Sequence, residues 1–202
     1  MYEPILTNYA ERMEGWKEWQ VQWRYGAILI YPPEPHLSKI TELIDRYQWS
    51  QGCICDAHIS MTVPLPVPLL EHHVEEISKA ISNIELFTII YGPIIEKPVK
   101  PGVLLKIEPQ DRLRDLVDIV ESTSAYENHI SRSYPFWAHM TIAENPTMEQ
   151  SYEIINQLRD LNLGGEFRLE YLSYAVPDEN FAFTERSKIK LGQYGKIIER
   201  QK

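Results

Sequence analysis

Residues 53–63 read Cys53-Ile54-Cys55-Asp56-Ala57-His58-Ile59-Ser60-Met61-Thr62-Val63, an alternating apolar run that exits through Pro64, Pro66 and Pro68. A strand sends residues i and i+2 to one face, so His58 points with Ser60, and Thr62 shares that face. About eighty residues later Phe136-Trp137-Ala138-His139-Met140-Thr141-Ile142-Ala143 repeats the device. There His139 points with Thr141, and Trp137 shares their parity.

The pattern histidine–any–hydroxyl is weak alone. Four of the six histidines carry it: His36, His58, His129 and His139. Context separates them. His36 follows Tyr31-Pro32-Pro33-Glu34-Pro35 and precedes a helical pattern, so Ser38 reads as a helix N-cap. His129 follows the polar end of a helix and reads as a loop residue set against the helix dipole. Only His58 and His139 lie inside strand-like runs. Two imidazoles that move protons near neutral pH, with two hydroxyls that bind phosphate oxygens, make a metal-free site for phosphoryl chemistry.

Working outward, the order strand–helix–histidine strand–helix–strand occurs twice. The first pass is a strand at 25–31, a helix at 37–49, the His58 strand, a helix at 69–83 and a strand at 86–95. The second is a strand at 103–107, a helix at 111–126, the His139 strand and a helix at 148–161 ending before Gly164-Gly165. Last come strands at 167–176 and about 188–191. This predicts a duplicated α+β unit whose pseudo-twofold packing sets both histidine strands on one central groove. Residues 1–24 read as an N-terminal extension and 25–202 as one domain, with lobes at about 25–97 and 98–192. The extension carries Met13, Trp16, Trp19 and Trp23 at helix-like spacing, a stripe expected to pack on its own domain.

The chain has 202 residues and a net charge of −9, which sets it against extended binding to long RNA or DNA. A small nucleotide or an RNA end in a local basic pocket is compatible with that balance. Cys53 and Cys55 are too close in sequence to bridge readily; they read as reduced and buried, as in a cytoplasmic protein. No apolar run is long enough to span a membrane, and no basic-then-apolar leader opens the chain. The oligomeric state is left open. Adjacent His72 and His73 on a helix are expected to diverge rather than share a metal, and the carboxylate clusters Glu75-Glu76 and Asp111/Asp115/Asp118 read as solvated helix faces.

In His58-Ile59-Ser60 and His139-Met140-Thr141 the chain resembles the two-histidine (2H) phosphoesterase superfamily, whose members include RNA 2′,3′-cyclic phosphodiesterases, also called RNA 2′,5′-ligases. The similarity covers about residues 25–192, with Tyr134-Pro135-Phe136-Trp137 before the second motif and the proline-rich exit after the first. It departs at Ala57 and Ala138, where proline is common, and at Glu144-Asn145, where one branch carries arginine. The resemblance implies a bilobal α+β fold of antiparallel sheets with outer helices and a central cleft. It implies hydrolysis of a 2′,3′-cyclic phosphate, on a nucleotide or an RNA end, to a phosphomonoester, with no cofactor and no metal. His58 and His139 would be the acid and base in an order the sequence leaves open, and Ser60 and Thr141 the phosphate ligands. Base-binding candidates are Trp137, Tyr134, Arg132 and Phe136, with Tyr25 and Tyr174 behind them. Phe136 and Trp137 face opposite ways, and parity favours Trp137. The alternatives are the same chemistry on 2′-5′-linked oligonucleotides, an ADP-ribose cyclic phosphate or a cyclic nucleotide signal, a non-catalytic nucleotide-binding module, and an α+β interaction protein with core histidines.

Overall fold

The computed structural model describes residues 9–47, 55–98, 101–161 and 163–193. Its first pass is strand β1 (Ala27–Ile30), helix α2 (His36–Tyr47), strand β2 (Ile59–Ser60), helix α3 (Glu71–Ala80) and strand β3 (Phe87–Glu96), preceded by a single-turn helix α1 (Glu18–Val21). The second pass is β4 (Gly102–Glu108), α4 (Gln110–Glu121) with a 3-10 turn at Ser124–Tyr126, β5 (His139–Glu144), α5 (Met148–Leu158) and β6 (Gly165–Leu169). Strands β7 (Tyr171–Pro177) and β8 (Phe183–Lys190) follow. Every expected core helix is present, but the strand expected over 167–176 is two, β6 and β7, separated at Glu170 and lying in different sheets; all pairings are antiparallel.

Some boundaries differ for local reasons. The helix expected over 148–161 stops at Leu158 but begins where Thr147 caps it. The Thr147 hydroxyl accepts from Gln150 N at 3.1 Å, and Gln150 Oε1 accepts from Thr147 N at 2.8 Å, a reciprocal capping box. Ser38 lies inside α2 and not at its cap; its hydroxyl donates to Glu34 Oε1 at 2.7 Å. The last strand starts at Phe183, earlier than its apolar residues suggest, because polar Thr184, Glu185 and Ser187 pair along β7 across a bulge. Strand β2 is only two residues long. Past it, Met61 N and Thr62 N both donate to Ile28 O, while Ile28 N donates to the Thr62 hydroxyl at 3.0 Å. Thr62 therefore serves the ladder, and Tyr126 OH also donates to it at 2.7 Å.

The sheets do not follow the sequence halves. One has the order β2-β1-β7-β8 and the other β5-β4-β3-β6. The expected lobe limits 25–97 and 98–192 are thus corrected: β3, from the first half, lies between β4 and β6, and β7, from the second, lies beside β1. The third strand of the first pass, β3, thus crosses to the second sheet, whereas in the second pass β6 stays with β4 and β5 and the next strand, β7, crosses to the first. Period-two alternation reports a strand's buried face but not its partner, so the crossing is silent in sequence. One apolar cluster joins both sheets, running from Ile28 and Ile30 through Ile40 and Leu43 to Leu105, Met140 and Ile154. Helix α5 lies against β3 and β4, α2 against β5, and α3 against α4 and β8.

The extension docks on its own domain. Trp16 and Trp19 meet the edge of Phe181 at 5.1 and 5.4 Å, and Trp23 meets Phe183 at 5.9 Å. Trp16 Nε1 donates to Glu179 O at 2.8 Å. Among the described residues no helix is long and apolar enough to cross a membrane.

Candidate active site

Register fixes the first motif. Leu29 pairs with Ser60 and Ile30 with Ile59. Ile59 joins the core, so Ser60 projects from the opposite face and is exposed. His58 shares that face and is half-buried. Its Nδ1–H donates to the Asp56 carbonyl at 2.8 Å. Cys55 Sγ lies 3.2 Å from the same nitrogen, and Tyr31 OH is 3.9 Å from that sulfur.

The second motif repeats this geometry. Met140 and Ile142 enter the core while His139 and Thr141 are half-buried on the other face. Nδ1–H of His139 donates to the Trp137 carbonyl at 2.8 Å. The Trp137 ring stacks on His139, with centroids 5.2 Å apart and planes at 29°. Lys106 stands directly across the ladder from His139. A carbonyl only accepts, so in both residues Nδ1 holds a proton and Nε2 is left for chemistry.

Strand β2 lies against β5, and the charge of His58 is felt at His139, so the two imidazoles lie near one another. Their environments oppose each other. At His58 burial works against the charged ring, but the adjacent Cys55 sulfur, with the Asp56 carbonyl and carboxylate, outweighs it and pushes the pKa up to about 9. At His139 burial, joined by the charges of Lys97 and His58, outweighs the Trp137 carbonyl and holds the pKa below the ordinary histidine value. Near neutral pH one ring is a proton donor and the other a proton acceptor.

The remaining base-binding candidates divide. Tyr134 is 73% exposed. Phe136 is in the core, 8% exposed, because strand parity turns it away from His139. Arg132 is bound into the fold. Its Nη2 donates to Met61 O at 2.6 Å and to the Glu121 carboxylate, which also accepts from Val63 N at 2.7 Å, and its guanidinium lies over the Phe136 ring. It pins the exit of the first motif. Tyr174 is fully buried, its hydroxyl donating to Tyr25 O at 3.0 Å, and Tyr25 packs edge-on against Tyr9. His36 binds Tyr91 OH at 2.7 Å, and His129 binds Tyr126 O at 2.6 Å.

The sequence reading passed over Cys55, Tyr31, Lys97 and Lys106. Lys106 carried a signal, a lone charge in the apolar run Val103-Leu104-Leu105-Lys106-Ile107. Cys55 did not, since strand parity sets it opposite His58; a bend at Ala57 brings it back. It is half-buried rather than buried, and Cys53 lies outside the described residues. Glu144, in place of an arginine, pairs with Lys97 at 3.0 Å. His72 and His73 do not diverge: their centroids are 4.0 Å apart, and His73 Nδ1 accepts from Leu70 N at 3.1 Å, a helix-capping role. Among the described residues no group of three His, Cys, Asp or Glu side chains is placed to hold a metal.

The fold is that of known phosphoesterases. A crystal structure of a phosphoesterase superposes with a TM-score of 0.52 at 15% identity, over 83% of this chain and 97% of that one. E. coli LigT complexed with NADP+ superposes at 0.50, also with 15% identity, over 83% and 96%. No curated protein matches the chain. The family model of the 2′-5′ RNA ligase superfamily matches residues 55–180, a span that opens on the cysteine beside His58 and takes in both histidine motifs; the chain belongs to that superfamily.

Proposed function

We propose that this chain is a metal-independent phosphodiesterase that opens a 2′,3′-cyclic phosphate, on a nucleotide or an RNA end, to a phosphomonoester. His139 is the base and His58 the acid. Nε2 of His139 takes a proton from water as the oxygen attacks phosphorus. The bond from phosphorus to one ribose oxygen breaks, and Nε2 of His58 delivers its proton to that oxygen. One water is consumed, one hydroxyl is freed, and the two histidines exchange protonation states until solvent resets them.

Ser60 and Thr141 donate to the non-bridging oxygens, where charge grows in the transition state, each contributing about 2–4 kcal/mol. Trp137 braces His139 from behind its ring plane. The observation that carries this reading is the pair of matched Nδ1–carbonyl bonds with opposite proton affinities on the two rings. No cofactor enters the scheme, and the two near-neighbour cysteines support a cytoplasmic setting.

The test is incubation of the full chain with nucleoside 2′,3′-cyclic monophosphates in EDTA, beside His58→Ala and His139→Ala variants checked for folding by circular dichroism. Turnover that survives EDTA and is lost in both variants supports the proposal. No turnover by a folded wild type sinks it.

A further inference from the structure

The face of the second sheet that carries His139 and Thr141 continues along the edge strand β5 to Glu144. Lys106 and His139, Leu104 and Thr141, and Gly102 and Glu144 are directly opposed in β4 and β5. Opposed residues share a face, and alternation turns Val103, Leu105 and Ile107 to the core on the other side. The ladder shifts register between Val103 and Leu104, which keeps Glu144 on the side of Thr141. Leu104 is fully buried, so the link from Thr141 to Glu144 runs along β5 itself rather than across β4.

A cation is built into the end of that face. Lys97 follows the pair Glu96–Val103, and its backbone N–H donates to Gly102 O at 2.9 Å. A Cβ on Gly102 would lie 3.1 Å from Lys97 Cδ and 3.2 Å from Lys97 Cβ. The missing side chain lets the lysine stem lie flat across β4, and Lys97 Nζ reaches the Glu144 carboxylate on the histidine strand at 3.0 Å. The Lys97 side chain is 27% exposed and that of Glu144 46%. Both charges are felt at the His139 ring, the ammonium opposing its protonation and the carboxylate favouring it. Lys106, by contrast, turns its ammonium to Glu108 on its own strand, at 2.9 Å.

We propose that Lys97 is the cation of a phosphomonoester-binding subsite beside Thr141, with Glu144 as the carboxylate that holds the ammonium while the subsite is empty. This rests on the phosphodiesterase reading above and names the species the site retains. A cyclic diester carries one negative charge, and the monoester it opens to carries about −1.5 to −2 at neutral pH. With His139 as base, the new oxygen enters on the His139 side of phosphorus, and Lys97 stands on the sheet that carries His139. The ammonium exchanges the Glu144 carboxylate for that oxygen in a charge-assisted hydrogen bond. This lysine therefore favours product over substrate, and phosphomonoesters inhibit the enzyme.

The experiment measures competitive inhibition of nucleoside 2′,3′-cyclic monophosphate hydrolysis by nucleoside 2′- and 3′-monophosphates, at pH 7.5 and low salt in EDTA. Lys97→Met should raise the inhibition constant about tenfold, the order of one charge-assisted hydrogen bond, while KM for the singly charged substrate moves less. Lys97→Arg should restore most of the affinity. Glu144→Gln frees the ammonium and should lower the inhibition constant. A role confined to the Lys97–Glu144 ion pair predicts the same direction of change in Lys97→Met and Glu144→Gln. That result, an unchanged constant in Lys97→Met, or no inhibition of the wild type overturns the subsite. Calorimetric titration of inorganic phosphate into the same proteins reads the site without chemistry. If no cyclic phosphate is cut, the phosphodiesterase reading fails and this titration decides the subsite. Weaker binding in Lys97→Met with tighter binding in Glu144→Gln keeps it, and any other pattern, or no binding, removes it.

Discussion

Cys55 Sγ stands 3.2 Å from the His58 nitrogen that also donates to Asp56, so one ring nitrogen serves a carbonyl and a sulfur together. His139 has the carbonyl partner and, on its other side, the Trp137 ring. The proposed roles rest on this difference. The Cys55 sulfur beside the ring favours the imidazolium, whereas burial under an indole favours a neutral ring.

Replacing Cys55 by alanine should therefore weaken the acid and spare the base. The alkaline limb of the pH–rate profile, set near 9 by His58, should move to lower pH, lowering kcat at pH 8.5 by about threefold for a one-unit shift and leaving kcat at pH 7 nearly unchanged. The acid limb, set by His139, should stay. Equal movement of both limbs, or of neither, would remove Cys55 from the mechanism.

The wild-type profile should be bell-shaped. Activity requires neutral His139, so it rises with pH through a value below the ordinary histidine pKa. It also requires protonated His58, so it falls as pH passes about 9. Initial rates from pH 4.5 to 10 in EDTA check both limbs, and a flat profile would refute the two-histidine scheme.

Ser60→Ala and Thr141→Ala should each lower kcat by about 10²–10³-fold with a smaller effect on KM, as when one oxyanion donor is removed. Thr141→Ser keeps the hydroxyl and should recover most of the loss. Steady-state kinetics at pH 7.5 distinguish this from a packing defect, which the serine variant would share.

Arg132→Ala removes a bridge between the second half and the exit of the first motif. It leaves the Glu121 carboxylate, 13% exposed, without its cation. The expected cost is about 2–4 kcal/mol in urea unfolding. Tyr134→Ala, at a fully solvated position, should change stability by less than about 0.5 kcal/mol. If Arg132 instead held a base, its loss would raise KM with the unfolding midpoint unmoved.

Gly26 has φ of +77°, and a Cβ there would lie 2.0 Å from Ala175 O. Gly26→Ala should destabilise by about 2 kcal/mol or more, since neither the backbone conformation nor the neighbouring carbonyl leaves room. Thermal melting of the two proteins side by side measures it.

What was legible in the sequence was what periodicity carries. Parity set His58 with Ser60, His139 with Thr141 and Trp137 with His139. The alternation of elements gave each core helix to within a few residues, and each strand except β6 and β7, which read as one. Parity also turned Phe136 inward, although its closeness to the motif kept it among the base-binding candidates. Arg132 had the right chemistry, but its partner Glu121 is set by the packing of α4 against the first motif, which no local pattern encodes. The Cys55 contact depends on one bend, and the strand exchange on pairings remote in the chain.

That exchange has a mechanical consequence. With β3 and β7 each running into the opposite sheet, neither half of the chain can be withdrawn without unpairing an interior strand of the other. The sheets carrying His58 and His139 are interlocked rather than hinged and share one apolar floor. If the proposed reaction runs between them, their fixed spacing acts as a gauge that selects substrate by fit. A backbone nick near residues 99–100 should leave two fragments that stay associated and keep that gauge, while either fragment alone lacks a complete sheet.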